Sequence, residues 1–236
     1  MIKKAMIPAA GFGKRIHPLT LDCPKPLLPI GNSTLLFNTI KFLEKLDIKE
    51  VVINVHYLGE QIIQYINSKK FNLKINIIKE SNKILGTGGG VLNVIQNFSN
   101  EPFIIINPDT LWSSHYLLEA KLLKDIFFSN KNCKCALLVV DKTKSFDKKF
   151  KGDFNLKMNL INKKNEEDLK YIYTGFQIID PETFLGVGKK VFPINIIWDN
   201  LIKKMALLGV KSSNNFFHVS TIDIYNSLLK NKLNIK

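Results

Sequence analysis

An α/β fold with a mostly parallel central sheet, helices on both faces and an added β-hairpin is predicted by three features of the sequence. Short apolar runs alternate with segments of helical period, glycines follow a strand directly, and an all-apolar run ends in a carboxylate. Residues 4–8 read as the first strand, leading into a Gly-rich turn. Over 34–46, Leu35, Leu36, Ile40, Leu43 and Leu46 fall at helical spacing, and Ser33 or Thr34 can cap the helix. A β-branched strand over 51–55, a short helix over 59–66 and a strand over 73–78 follow. A helix over 90–98 and a buried strand over 103–106 complete a βαβαβαβ order, which demands right-handed crossovers.

The second half is less regular. Residues 135–140 form a strand, and the polar stretch 141–151 reads as a mobile loop. Phe154, Leu156, Met158 and Leu160 alternate with polar residues, as a half-buried strand requires. A charged turn over 162–170 returns the chain as a strand over 171–179, a hairpin flanking a site on the main sheet. Segments 194–208 and 221–233 read as closing helices. With no linker, repeat or low-complexity stretch, residues 1–236 are expected to form one domain.

Composition narrows the function classes. Hydrophobic residues make up 45% of the 236, an ordinary share for a globular chain. No apolar run reaches the roughly 20 residues of a membrane span. Met1 to Lys4 precede no apolar leader, so a cytoplasmic location is expected. Cys23, Cys133 and Cys135 are too few and wrongly spaced for a disulfide framework or a zinc site. Cys133 and Cys135 are expected at the start of a buried strand. The net charge of +14 comes from lysines scattered among Asn and Ile, without a dense basic tract. That distribution favours a phosphate-bearing small substrate over nucleic acid. Arg15 is the sole arginine in this Lys-rich chain, and bidentate phosphate contact is a task lysine does not replace.

Ala9-Ala10-Gly11-Phe12-Gly13-Lys14-Arg15 lies directly after the first strand. Small residues and two glycines allow a tight turn that turns N–H groups toward an anion. It is neither a Walker A loop, since Arg15 follows Lys14, nor a dinucleotide fingerprint, since Ile16 stands where a third glycine belongs. Prolines at 24 and 26 flank Lys25 and aim its ammonium in a fixed direction. Loop, arginine and lysine together point to a triphosphate site.

This run, with Pro18-Leu19-Thr20 and Pro24-Lys25-Pro26-Leu27, resembles the signature of the sugar-1-phosphate nucleotidyltransferases, which have a Rossmann-like fold. The resemblance implies that the loop wraps the triphosphate while Arg15 and Lys25 hold its phosphates. Gly86-Thr87-Gly88-Gly89-Gly90 resembles the family's second Gly-rich segment, placing Thr87 and Gly88 along the nucleobase. Asn107-Pro108-Asp109 resembles its Asn-Gly-Asp, and implies Mg²⁺ on Asp109, with Mn²⁺ as the alternative. Asn107, Asp153, Thr174 and Gly175 match places that contact the sugar phosphate. His218 stands where the family carries a second metal-binding aspartate, and is expected at the metal directly or through water, or as a hydrogen-bonded histidine without a catalytic role.

The implied reaction is attack by a sugar 1-phosphate oxygen on the α-phosphorus, with pyrophosphate leaving. Residues 1–112 would mainly bind nucleotide and 113–236 mainly sugar phosphate. The wording of the motifs is most similar to the N-acetylmuramate-1-phosphate uridylyltransferase group, with mannose- or heptose-1-phosphate guanylyltransferases as rivals. UTP is the favoured nucleotide. A catalytically silent nucleotide-sugar-binding relative is the alternative from another class. The expected partners are the two substrates, with no nucleic acid or membrane, in a monomer or small homo-oligomer.

Overall fold

The computed structural model describes residues 2–80, 83–164 and 168–231. Strand alternation builds two cores on one sheet. In β1 (Lys4–Ala9), Ala5, Ile7 and Ala9 face one core while Met6 faces the other. The same division holds in β4 (Glu50–Val55), where Val51, Ile53 and Val55 oppose Val52. Helices α1 (Leu35–Lys45), α2 (Gly59–Asn67) and α4 (Tyr116–Ser129) cover the first face, and α3 (Gly86–Val94) and α5 (Asn195–Lys203) the second. Two faces therefore each bury an apolar stripe, which is why the strands are apolar nearly throughout.

The remaining strands of the main sheet are β5 (Lys74–Lys79), β6 (Phe103–Ile106), β7 (Cys135–Asp141), β8 (Asn155–Lys157), β9 (Leu160–Asn162), β10 (Tyr171–Ile179) and β11 (Leu207–Ser212). Among the described residues they form a 9-stranded sheet in the order β5-β4-β1-β6-β10-β7-β11-β9-β8. Parallel pairing joins β5, β4, β1 and β6, and again β7 and β11. β10 runs against both β6 and β7, so its neighbours keep a common direction and the sheet is mostly parallel. Short strands β2 (Pro29–Ile30) and β3 (Ser33–Thr34) form a separate ribbon. Thr34 caps α1, its Oγ1 accepting from Phe37 N–H at 3.2 Å, and Thr221 likewise caps α6 (Ile222–Lys230).

Four expectations need correction. The helix expected over 90–98 begins earlier, as α3 at Gly86, and a 3-10 turn replaces its end at Ile95–Phe98. The glycines lie within the helix because other chain segments press against it. A Cβ on Gly88 would meet the Phe192 ring at 2.4 Å, and one on Gly89 the Lys190 carbonyl at 2.3 Å. The helix expected over 194–208 stops at Lys203, Met205 takes φ 52°, and the chain re-enters the sheet as β11. Residues 205–208 are a short apolar run, and periodicity alone does not assign such a run to a buried strand or a buried helix.

The alternating segment 154–160 is not one strand but the tight hairpin β8–β9. Its turn residues Met158 and Asn159 take φ 46° and 66°, the double positive φ that two-residue hairpin turns use. It joins β11 through β9, and the residue just before it pairs with β10 through the isolated Phe154–Tyr171 bridge. Segment 141–151, expected as a mobile loop, is tied down. Ser145 bridges to Phe216, and the Ser220 hydroxyl donates to buried Asp147 at 2.6 Å. Cys135 opens β7 as expected, and the cysteines are free. Burial pushes the Cys133 thiol up to about 11 against backbone hydrogen bonds. Among the described residues no helix is long and apolar enough to cross a membrane.

Candidate active site

At the carboxyl ends of β1, β4 and β6, where open α/β sheets place their ligands, lies a cavity of about 490 Å³. Its floor is the glycine loop: Ala9, Ala10, Gly11, Phe12, Gly13 and Lys14 all line it. The loop is held from behind. Gly13 at φ 66° accepts a hydrogen bond from the Thr20 hydroxyl at 2.9 Å, and a Cβ there would meet Lys25 Cβ at 3.3 Å. The positive φ, with Thr20 and Lys25 packed close behind, calls for a glycine at that point. Arg15 is exposed on the same cavity and has no ion pair or hydrogen bond among the described residues, so its guanidinium is free for an anion.

Lys25 and Asp109 meet in this cavity, Nζ to Oδ2 at 2.5 Å, with side chains only 14% and 20% exposed. His218 Nε2 lies 3.2 Å from the same oxygen. Backbone pairing brings the histidine there: Leu111 N–H donates to Phe217 O, Val219 N–H to Asp109 O, and Thr110 bridges His218. Burial is the largest influence on the Asp109 carboxyl and disfavours its charge. The imidazole of His218 and the ammonium of Lys25 together outweigh it, and hold the group well below the usual carboxylate range.

Asp109 Oδ1 and His218 Nδ1 are buried without a partner. Among the described residues no group of three or more His, Cys, Asp or Glu could enclose a metal alone. One orphaned carboxylate oxygen beside a phosphate-sized cavity nevertheless fits an ion such as Mg²⁺, which binds through one or two carboxylates plus substrate phosphates.

A second cavity of about 560 Å³ adjoins the first, and Thr87 and Asn107 line both. Asp153, Lys163, Tyr173, Gln177 and Trp198 line the second. Burial pushes the Asp153 carboxyl up, opposed by the Tyr173 N–H that donates to it at 2.9 Å and by Lys163 and His218. Lys163 pairs with Asp199 at 2.6 Å, and its ammonium lies 5.6 Å from the Phe154 ring centre.

Four of the residues expected at the site line neither cavity, and His218 is one of them, reaching the first cavity only through Asp109. Gly88 is buried under Phe192, to whose carbonyl its N–H donates at 3.0 Å. The Thr174 hydroxyl turns away to donate to the Leu138 carbonyl at 2.8 Å, and the Thr174 carbonyl accepts from the Thr110 hydroxyl. Gly175, at φ 93° in a bulge of β10, accepts from the Asn107 N–H at 2.8 Å, and a Cβ there would strike Asn107. Thr174 and Gly175 are therefore bonded to the backbone of Leu138 and Asn107 and to the Thr110 hydroxyl, beside the Asn107–Asp109 turn.

The motifs left other lining residues unnoticed. Asn54 accepts from the Ala9 N–H at 3.2 Å and donates to Glu80 at 2.5 Å, while Glu80 accepts from Leu85 N–H. This buried relay links the first glycine segment to the second. Asn54 and Gln177 each interrupt a local run of apolar residues, and that interruption is the signal the sequence offers. Lys163 lies in a charged turn with no comparable mark.

The geometry has known counterparts. The nucleotidyl transferase family model matches residues 4–145. N-acetylmuramate alpha-1-phosphate uridylyltransferase of Caulobacter vibrioides is 25% identical over 222 residues, covering 92% of this chain and 91% of that protein. A mannose-1-phosphate guanylyltransferase catalytic subunit beta of Dictyostelium discoideum is 37% identical over 112 residues, but covers 46% of this chain and 31% of that protein. Among solved structures, UDP-glucose pyrophosphorylase from Acinetobacter baumanii superposes with a TM-score of 0.80 at 14% identity, covering 97% of this chain and 92% of that one. The inositol-1-phosphate CTP transferase from T. maritima gives 0.75 at 16%, covering 99% and 97%. The two structures show a shared fold, and the family match spans the glycine loop, Lys25 and Asp109 together. With more than half its length under that match, the chain belongs to the nucleotidyl transferase family and is a nucleotidyltransferase.

Proposed function

We propose that the enzyme condenses UTP with a sugar 1-phosphate of the N-acetylmuramate 1-phosphate type, giving a nucleoside diphosphate sugar and pyrophosphate. The observation that carries this reading is the pair of adjoining cavities that meet at Thr87 and Asn107. One carries the unpaired Arg15, Lys25 and backbone amides, suited to a triphosphate. The other carries aromatic walls and a lysine, suited to a substituted acidic sugar. The similarity to the Caulobacter uridylyltransferase over nearly the whole length supports the same choice.

In this reading the nucleophile is already an anion, so no general base is needed. The work is to align two anions and to stabilise charge on the leaving group. Arg15 and the loop amides hold the β- and γ-phosphates. Lys25 leaves Asp109 to meet the α-phosphate or the incoming sugar phosphate. Thr87 borders the nucleobase, while Asn107 and Asp153 orient the sugar phosphate. Asp109, through Oδ1, with His218 beside it, would hold Mg²⁺ or Mn²⁺, which when bound neutralises charge on the polyphosphate.

Pyrophosphate release across four nucleoside triphosphates and several sugar 1-phosphates tests the proposal. The highest kcat/KM is expected with UTP and N-acetylmuramic acid 1-phosphate. A preference for GTP with mannose or heptose 1-phosphate moves the enzyme to the guanylyltransferase group, a reading favoured by the 37% identity of the Dictyostelium subunit. Binding without turnover anywhere in the matrix leaves a nucleotide-sugar-binding relative instead.

A further inference from the structure

We propose that Gln177 reads the acyl group of the sugar substrate, its carboxamide N–H donating to the acyl carbonyl while Trp198 and Phe154 receive the methyl. The inference rests on the assignment of the second cavity to the sugar phosphate. It begins with a side chain out of place: Gln177 is 1% exposed, in an apolar stretch of β10 between Phe176 and Ile178. A buried carboxamide is retained at a cost unless its polar atoms are matched.

Its orientation is fixed by chemistry. Trp198 Nε1 lies 2.9 Å from one end of the carboxamide, and an indole N–H donates only, so that end must be the oxygen. Cys135 Sγ, 3.3 Å from the same atom, adds a second donor. The other end is therefore the –NH₂, and Nε2 donates to no group among the described residues, although Gln177 lines the cavity. Nearby, the Tyr173 hydroxyl is buried without a partner, its ring edge-on to Trp198 at 4.9 Å. The second cavity thus holds buried hydrogen-bonding capacity that the protein itself leaves unused.

The surrounding wall selects the ligand class. Phe154 and Trp198 meet at 73° with centroids 5.6 Å apart, and Ile194 lines the cavity with them. A sugar hydroxyl would bring an acceptor but nothing to cover this surface. A 2-acylamino group brings a carbonyl oxygen for Nε2 and a methyl for the rings, so the pocket fits an N-acylated amino sugar 1-phosphate.

Glucose 1-phosphate and N-acetylglucosamine 1-phosphate differ only in this substituent and serve as the probe pair. Gln177→Glu keeps the acceptor for Trp198 and removes the donor. Its dissociation constant for N-acetylglucosamine 1-phosphate, followed by tryptophan emission, is expected to rise at least tenfold, with less than a twofold change for glucose 1-phosphate. Equal effects on the two, or none, overturn the assignment. Should the buried carboxylate unfold the sheet, wild-type protein answers by NMR. The Trp198 indole N–H resonance is expected to move further with the acylated sugar, and an equal or smaller displacement overturns the assignment. If the wild type neither binds these sugars nor releases pyrophosphate with any of them, the sugar reading of the cavity fails as well. Selective turnover of acylated sugars that Gln177→Glu leaves intact sinks the Gln177 assignment alone.

Discussion

The two cavities are built in opposite ways. The first takes much of its lining from two short stretches, the loop after β1 and the Pro-Lys-Pro turn, and leans on backbone conformation and charge. The second gathers side chains from β10, α5 and the segments flanking the β8–β9 hairpin, and no two of its polar lining residues share a motif. A phosphate chain is the same in every nucleotide, so one loop geometry serves all of them. A sugar substituent is particular, and in the proposed reading its recognition is spread over side chains from separate segments of the chain.

The sharpest way to break this contrast is at Lys25. If it meets charge that develops in the transition state, Lys25→Ala should lower kcat by roughly 10²–10³, about 2.7–4 kcal/mol, with any sugar. Steady-state turnover retained at the wild-type level would remove it from the chemistry. Next is the packing that supports the first cavity. Gly88→Ala drives a Cβ to 2.4 Å from Phe192, and should cost about 1–3 kcal/mol as overpacking, read as a lowered denaturation midpoint. An unchanged midpoint would show that Phe192 swings aside.

His218→Ala tests the seam between charge and metal. On the scale of residues that tune a metal site, the half-saturating Mg²⁺ or Mn²⁺ should rise on the order of 10-fold. Identical metal titrations with both ions would leave His218 a hydrogen-bonding partner only. The smallest effect belongs to Asp153. Its carboxyl is raised by burial, so the folded protein binds its proton more readily than the unfolded chain does. That contribution favours the fold at low pH and is lost as pH rises through the folded value. Asp153→Asn should therefore be slightly more stable than wild type at pH 7, with the advantage shrinking on acidification. A loss of stability at pH 7 would mean that the bond to Tyr173 N–H outweighs burial.

The contrast also explains what could be read without coordinates. Strands β1, β4, β5 and β6 and helices α1 and α2 follow from periodicity, because the helices bury one apolar stripe and the strands are short apolar runs. Arg15, Lys25 and Asp109 were found because they belong to ordered runs, and they do share one cavity. β11 escaped because an apolar stretch after a helix looks like more helix. Thr174 and Gly175 match a motif by position alone, and no local pattern encodes their bonds to Leu138 and Asn107. Gln177 and Lys163 depend on tertiary neighbours over twenty residues away, such as Trp198 and Asp199, which no local pattern encodes.

Thr87 and Asn107 form a party wall between the compartments. Remodelling it for a new sugar would disturb the nucleotide's berth, and the reverse. Evolution or engineering of selectivity is thereby channelled to the far ends of the cleft, and a substitution in the wall should be recognisable by simultaneous changes in the Michaelis constants of both reactants.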